Sequence, residues 1–395
     1  MLQIVNTSKN LNYLNILGVL RALPDIVFYD HQKNFTDHDD VNLFQWANKN
    51  NIDRTFFDIV LEPAASVSLN EPSKISAAEM LLMTHYYFIG HPRAFNRWIS
   101  TVDHGRSVID PWVLYLRKIG VNVVTGKEID GLHWRDDRRI GIGQEVFDSA
   151  VLAADIAGLH HILKDSTSAL PDDMSVDRLR ETLGKLELAP PYHVLRVWFD
   201  KPVRKDRPDY QAVIETPEFR PINLLAIFDR LEEESRQWAD ATGGSIVEFH
   251  LYATPEFVGM GADAIWQNIK VQALKALPEL SHARTLDFSL GSYENFTSFA
   301  TGQGQVRPMP NTPESFGLEN LQLAGDWVHI AEFPTALMER SVTSGRMAAN
   351  AILRKLGVRQ APVFHGPVRG PGLLPRFNTK PEVLRPSSIA VTQPV

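Results

Sequence analysis

The 395-residue chain contains no cysteine. Disulfides, thiolate nucleophiles, cysteine-ligated iron–sulfur clusters and cysteine zinc sites are thereby excluded. It also has no excess of positive charge: 40 Lys and Arg face 47 Asp and Glu, a net −7. That balance argues against a nucleic-acid binder, whose affinity rests on neutralising phosphates. No apolar run approaches the ~18 residues needed to cross a bilayer. The nearest, Leu11 to Leu23, is interrupted by Asn12, Asn15 and Arg21 and lacks a small-residue cleavage site, so it reads as an amphipathic helix. These absences point to a soluble, cytoplasmic protein, at most peripheral to a membrane.

What is present is ordinary globular composition, 44% hydrophobic and 22% charged, over a length typical of two interlocked domains. Ile16, Val19, Leu20 and Leu23 share one helix face, and Pro24 is expected to end that helix. Ser76 with Glu79 three residues on is a capping-box signal opening the run Met80 to Met83, which continues into His85, Tyr86, Tyr87 and Phe88. The bulky stretch from Phe56 to Phe88 suits a lipophilic pocket, and suits an ordinary helical core equally well. The period changes at Asp110-Pro111, an N-cap and first helical position for a helix that Gly120 stops. A short strand is expected at Val121 to Val124, and an extended piece around Ile129 and Leu132. Beyond the charged hairpin tip Arg135 to Arg139, the nearly apolar end of Val146 to Asp155 suits a strand covered on both faces. Further strands are expected at His193–Phe199, Ile222–Phe228, Ser245–Tyr252 and Arg284–Ser289, with a helix from Ala264 to Leu277 stopped by Pro278. Recurrent prolines after Gly357 predict an irregular tail.

Most of the chemistry is concentrated in Leu321 to Leu356. A short strand ends in Gly325-Asp326, a loop follows, and Pro334-Thr335-Ala336 opens a long helix. Such a helix start leaves N–H groups unpaired at a positive dipole end, suited to a developing negative charge. Gly325 permits close approach of backbone to ligand, and Asp326 can accept hydrogen bonds from hydroxyls. Gly345 and the alanines beyond it suit close approach of another backbone. A strand, a turn and a capped helix with no ligand fit the same pattern.

The stretch Leu323-Ala324-Gly325-Asp326-Trp327-Val328, then Pro334 to Ser341 and Ser344-Gly345 through Ala348-Ala349-Asn350, resembles the C-terminal FAD signature of the flavin amine oxidase and phytoene desaturase superfamily. Its Gly-Asp-Trp-Val and Ala-Leu-Met-Glu-Arg segments are similar to those of carotenoid desaturases that aromatise β-carotene rings. Ile109 to Gly126, Phe147 to Asp155, Glu62-Pro63-Ala64-Ala65 and Leu69-Asn70 resemble other parts of that family. The resemblance implies an α/β fold: an incomplete, Rossmann-like FAD/NAD(P)-binding domain with a larger α+β substrate domain. It implies FAD as cofactor, with Asp326 on the ribityl chain, Gly325 beside it, the backbone of Thr335 and Ala336 facing the flavin, and the backbone of Ile129 touching adenine. The reaction implied is hydride transfer from a lipophilic, carotenoid-like polyisoprenoid to the flavin. No catalytic side chain and no metal are assigned.

The family's opening strand, G-x-G-x-x-G turn and helix are missing. Gly141/Gly143, Gly259/Gly261 and Gly302/Gly304 each lack the third glycine. The chain is therefore expected to begin after the βαβ module, leaving the pyrophosphate without its helix-terminus cradle and one sheet edge uncovered. The organisation expected is 1–105 helical substrate-domain part, 106–160 cofactor-domain segment, 161–300 substrate domain with sheet, 301–357 C-terminal FAD segment and 358–395 tail. Leu323 should lie beside Val151 in one sheet, with the helix from about Thr335 beneath it. An elongated apolar cavity should be lined from Phe56 to Phe88 and by sheet strands, opening towards Pro334. Two alternatives stay open: oxidation of an amine, and a cofactor-free remnant acting as an accessory binding protein. His160-His161 point to different faces and predict no zinc site. His85, His91 and His104 are candidates for a proton shuttle or for structural roles.

Overall fold

The computed structural model describes residues 11–89, 99–168, 175–204, 211–310, 316–331, 338–364 and 366–372. Its strands in chain order are β1 (His133–Trp134), β2 (Ile140–Ile142), β3 (Glu145–Phe147), β4 (Ala150–Leu152), β5 (Thr167–Ser168), β6 (Tyr192–Phe199), β7 (Val213–Glu215), β8 (Leu224–Ile227), β9 (Ser245–Leu251), β10 (Thr285–Tyr293) and β11 (Leu321–Leu323). Among the described residues they form sheets ordered β3-β2-β1-β5, β10-β6-β9-β8-β7 and β11-β4. The mixture of helices with parallel and antiparallel sheets is the α/β, α+β architecture expected.

Period-two alternation builds the antiparallel five-stranded sheet. Leu195, Val197 and Phe199 of β6 and Val247, Phe249 and Leu251 of β9 are almost fully buried. They form one core with Ile265, Trp266 and Ile269 of the Ala262–Ala276 helix. Each such side chain contributes about 1.5–3 kcal/mol by leaving water. The intervening residues Tyr192, Val194, Arg196, Glu248 and His250 are half-buried on the opposite face, with Val194 opposite His250 and Arg196 opposite Glu248.

The parallel pair β4 and β11 sets Leu323 opposite Leu152 and Gln322 opposite Val151, the neighbourhood expected from sequence. Leu152, Leu321 and Leu323 share a core with Leu132, Ile156, Leu159, Trp327 and Val328. The Met338–Lys355 helix packs against β11. On the N-terminal side, the His31–His38, Leu43–Lys49 and Ala77–Thr84 helices gather around Leu43, Trp46, Phe57, Met80 and Leu82.

Several local expectations are corrected. Pro24 does not end the first helix but lies within Leu17–Val27; the bond it removes falls on the carbonyl of Leu20, an exposed residue. Val121 to Val124 form no strand, because no described segment pairs with them. The run Val146 to Asp155 is two strands, β3 closing a hairpin with β2 and β4 pairing with β11. Val151 is 42% exposed, not covered on both faces. Ser76 caps its helix by accepting from the N–H groups of Ala78 and Glu79, but the Glu79 carboxylate is drawn elsewhere. No described helix is long and apolar enough to cross a membrane.

Candidate functional site

Gly325 turns the chain out of β11 at φ +145°, a conformation that L side chains rarely adopt, and a Cβ there would collide with the Trp327 indole nitrogen. That nitrogen donates to Ala154 O at 3.0 Å, tying the turn to the end of β4. The Gly325 N–H donates to Ser344 Oγ at 2.9 Å, fixing the turn to the long helix. Half-buried Asp326 accepts at Oδ1 from Thr297 Oγ1 (2.9 Å) and at its backbone oxygen from Arg340 Nη1 (3.1 Å). The glycine and aspartate singled out in the sequence thus sit in a turn restrained from three directions.

The other expected site residues divide. Thr335 and Ala336 lie outside the described residues. Ile129 is half-buried in an irregular segment that leads into Leu132 of the same core as Leu323. Gly345 does not serve a close approach among the described residues, since a Cβ there would meet open space. His160 Nε2 meets Leu183 O at 2.9 Å. His161 Nε2 lies 3.4 Å from Glu128 and 3.8 Å from Asp130, a wholly exposed cluster that spacing in sequence conceals.

Sequence reasoning missed a buried charge cluster beneath this turn. Arg307 Nη1 donates to Glu79 Oε1 at 2.7 Å, and Arg340 Nη2 lies 4.0 Å from Glu79 Oε2. Burial, then the neighbouring Arg307 charge, lowers the Arg340 pKa to about 10. Asp39 accepts from Ser76 Oγ and Gln305 N, both at 3.1 Å, and burial with the Glu79 charge raises its pKa to about 6. His31 makes a 3.2 Å hydrogen bond with the Tyr29 hydroxyl through Nδ1. Burial, then the neighbouring His329, lowers the His31 pKa to about 4, so it is neutral at pH 7. The available signal was a glutamate inside the apolar run Ala77-Ala78-Glu79-Met80, a position that burial forbids to an unpaired charge.

Two cavities flank the site. The larger, about 680 Å³, lies among His31, Phe35, Gln305, Arg307, His329 and Ala331. Arg307 Nε and His31 Nε2 beside it are buried and have no hydrogen-bond partner among the described residues. The smaller, about 260 Å³, lies between Val67–Leu69 and the sheet residues Tyr192, Val194, His250 and Tyr252, closed by Phe296 and Phe299. No carboxylate lines it among the described residues. Of the expected apolar stretch it uses only Val67 to Leu69, because Phe56 and Phe57 are spent on the core; Pro334, its expected mouth, lies outside the described residues. Phe296 is adjacent in sequence to Thr297, the hydroxyl that holds Asp326.

The model of the flavin containing amine oxidoreductase family matches residues 110–353. A carotenoid phi-ring synthase of Streptomyces griseus is 31% identical over 308 residues, 76% of this chain and 56% of that protein. One from Chlorobaculum tepidum is 24% identical, covering 93% of this chain and 74% of that protein. The chain thus spans little over half the length of the Streptomyces relative. Among solved structures, putrescine oxidase bound to putrescine superimposes with a TM-score of 0.60 at 13% identity, over 88% of this chain and 77% of that one. Cyclohexylamine oxidase from Brevibacterium oxydans gives 0.58 at 14% identity, over 89% and 77%.

Proposed function

The chain belongs to the flavin-containing amine oxidoreductase family, and on that premise we propose that it forms the ring-side and substrate-side parts of an FAD-dependent oxidoreductase acting on a lipophilic, carotenoid-like polyisoprenoid. In this reading Asp326 holds the ribityl chain, Gly325 lets the backbone approach it, Thr335 and Ala336 face the flavin, and Ile129 meets adenine. The residues present fit the ring end of a flavin. Two buried nitrogens without partners, on Arg307 and His31, border a cavity of about 680 Å³, within the ~300–1,000 Å³ typical of ligand sites. Bound flavin supplies a hydride acceptor; the chain's own residues orient the substrate and exclude water.

The observation that carries the substrate class is the smaller cavity. It is walled mainly by aromatic and aliphatic side chains, with Ser68 and His250 and no carboxylate among the described residues, and its wall is one residue from the partner of Asp326. A polyisoprenoid offers nothing to ionise, so such a lining orients it by shape alone. Supplying β-carotene to the protein joined to a segment bearing a G-x-G-x-x-G turn and loaded with flavin, and following new double bonds by absorbance, tests the reading; absence of any product overturns it. The aromatic walls also favour a second reading, amine oxidation, since Tyr192 stacks on Tyr293 with centroids 4.7 Å apart and meets Phe296 at 5.1 Å, and aromatic faces attract cations. Flavin reduction by putrescine but not by carotene would establish that alternative.

The sequence holds no G-x-G-x-x-G turn. We therefore assign pyrophosphate binding to a βαβ segment outside these 395 residues, on the same or another polypeptide. Two features of the described residues support a docking place. Val151 on β4 is 42% exposed, and the Asp110–Lys118 helix has no buried residue, leaving Trp112, Leu114 and Tyr115 at 57%, 65% and 57% exposure. Among the described residues this parallel sheet has only two strands, and such a sheet is the natural acceptor of another strand.

A further inference from the structure

Removing hydride from a saturated carbon leaves a carbocation, and a double bond forms only when the neighbouring carbon gives up a proton. Desaturation therefore needs a proton acceptor beside the substrate as well as an oxidant. The smaller cavity is otherwise poor in such groups, yet two of its lining residues, His250 and Tyr252, are joined to each other. The Tyr252 hydroxyl lies 3.2 Å from His250 Nδ1. On the other side of the imidazole, Nε2 lies 3.4 Å from Glu248 Oε2. Glu248 is in turn held by Arg196, whose Nη2 donates to Oε1 at 2.7 Å. Glu248 and His250 project to one side of the β6–β9 sheet with Arg196 opposite Glu248, and Tyr252, just past the end of β9, joins them through His250.

We propose that Tyr252 and His250 form the proton exit of the reaction: the Tyr252 oxygen takes the proton released by the substrate cation while its own hydroxyl proton passes to His250 Nδ1. The proposal rests on the carotenoid reading above. The broken C–H bond leaves its electron pair as the new C=C bond; oxidised flavin, when bound, would be the acceptor of the hydride removed earlier and would be reduced by it. The proton ends on an imidazolium held by Glu248. For this the resting His250 must be protonated at Nε2 and accept at Nδ1, the tautomer a carboxylate at Nε2 selects.

The surroundings agree with these roles. Burial pushes the Tyr252 phenol above its ordinary value, helped by the charges of Tyr192, Glu215 and Glu248, so it serves as a neutral relay. Burial alone would raise the Glu248 carboxyl; the hydrogen bond from His250 and the Arg196 charge outweigh it and hold Glu248 below its usual range. The charged and titratable groups facing the pair are therefore Arg196 and Tyr192 on β6, Glu248 on β9, Glu215 on β7, and Glu232, 3.9 Å from Arg196.

Two measurements decide it. The first uses the chain alone with ¹⁵N-labelled histidine, His250→Gln assigning the signal. The relay requires a protonated Nε2 and an accepting Nδ1; the opposite tautomer, with Nδ1–H donating to Tyr252, overturns it whatever the substrate. The second compares wild type with Tyr252→Phe, which keeps the ring, in single turnover with the chain joined to a G-x-G-x-x-G segment and loaded with flavin. Carotene affinity should be unchanged, while product formation falls about 10²-fold and its pH dependence changes. Product formation at the wild-type rate overturns the relay and leaves the carotenoid reading intact. A wild type that neither binds nor desaturates carotene overturns the reading itself.

Discussion

Glu79 and Arg307, 228 positions apart in the chain, share a 2.7 Å hydrogen bond with side chains 0% and 2% exposed. The pair joins the N-terminal helices to the segment that leads into β11. Through Arg340, which reaches both Glu79 and the backbone of Asp326, it also supports the turn at the candidate site.

Removing the anion from such a cluster leaves two buried guanidinium groups without their shared counter-charge. Glu79→Gln should destabilise the protein by about 3–5 kcal/mol, the range for breaking a buried pair from one side. Urea unfolding followed by tryptophan fluorescence measures this. A change below about 0.5 kcal/mol would show that water or another group compensates the arginines.

Gly325→Ala places a methyl group against the Trp327 indole at a φ of +145°. Strain of about 1–3 kcal/mol is expected from the backbone alone, with Trp327 displaced from Ala154 O. Near-ultraviolet circular dichroism should report the tryptophan movement. An unaltered spectrum with unaltered stability would mean the turn relaxes freely.

His31 gives a signed pH dependence. Its folded pKa of about 4 lies below the ordinary 6.5, chiefly through burial, so unfolding takes up a proton wherever pH lies between the two. Its stabilising effect is complete above ~6.5 and is lost as pH falls towards ~4, by at most about 1.4 kcal/mol per pH unit. Wild type should therefore lose stability relative to His31→Gln across that window. Asp39 has the opposite sign: with a folded pKa of about 6 against 3.8, it favours folding below ~4 and loses that effect as pH rises to ~6. Wild type compared with Asp39→Asn should show this reversed slope, and equal slopes for the two comparisons would refute the assignment.

What was legible in the sequence followed from local periodicity. The alternation of Tyr192 to Phe199 and Val247 to Leu251 recurs as alternating burial. Leu321 to Trp327 announces its strand and turn because only glycine tolerates the turn's conformation. Long-range pairing was not legible. Glu79 looked like a capping residue because Arg307 is remote in sequence, and His250 with Tyr252 looked like ordinary strand residues. Val121 to Val124 had the composition of a strand, but composition supplies no ladder partner. Pro24 was misjudged because a single lost hydrogen bond on an exposed helix face is tolerable.

The proposed flavin site is shared between this chain and a βαβ segment that supplies the pyrophosphate cradle, and the flavin absorbance of purified protein tests that most directly. The 395-residue chain alone should be colourless, because losing several charge-assisted phosphate contacts, each worth about 1.5–3 kcal/mol, weakens FAD binding by orders of magnitude. Joined to a segment bearing a G-x-G-x-x-G turn, it should show a flavin spectrum that Asp326→Ala weakens again. Stoichiometric FAD on the 395-residue chain alone, or a flavin spectrum in the joined protein that Asp326→Ala leaves untouched, would contradict the account.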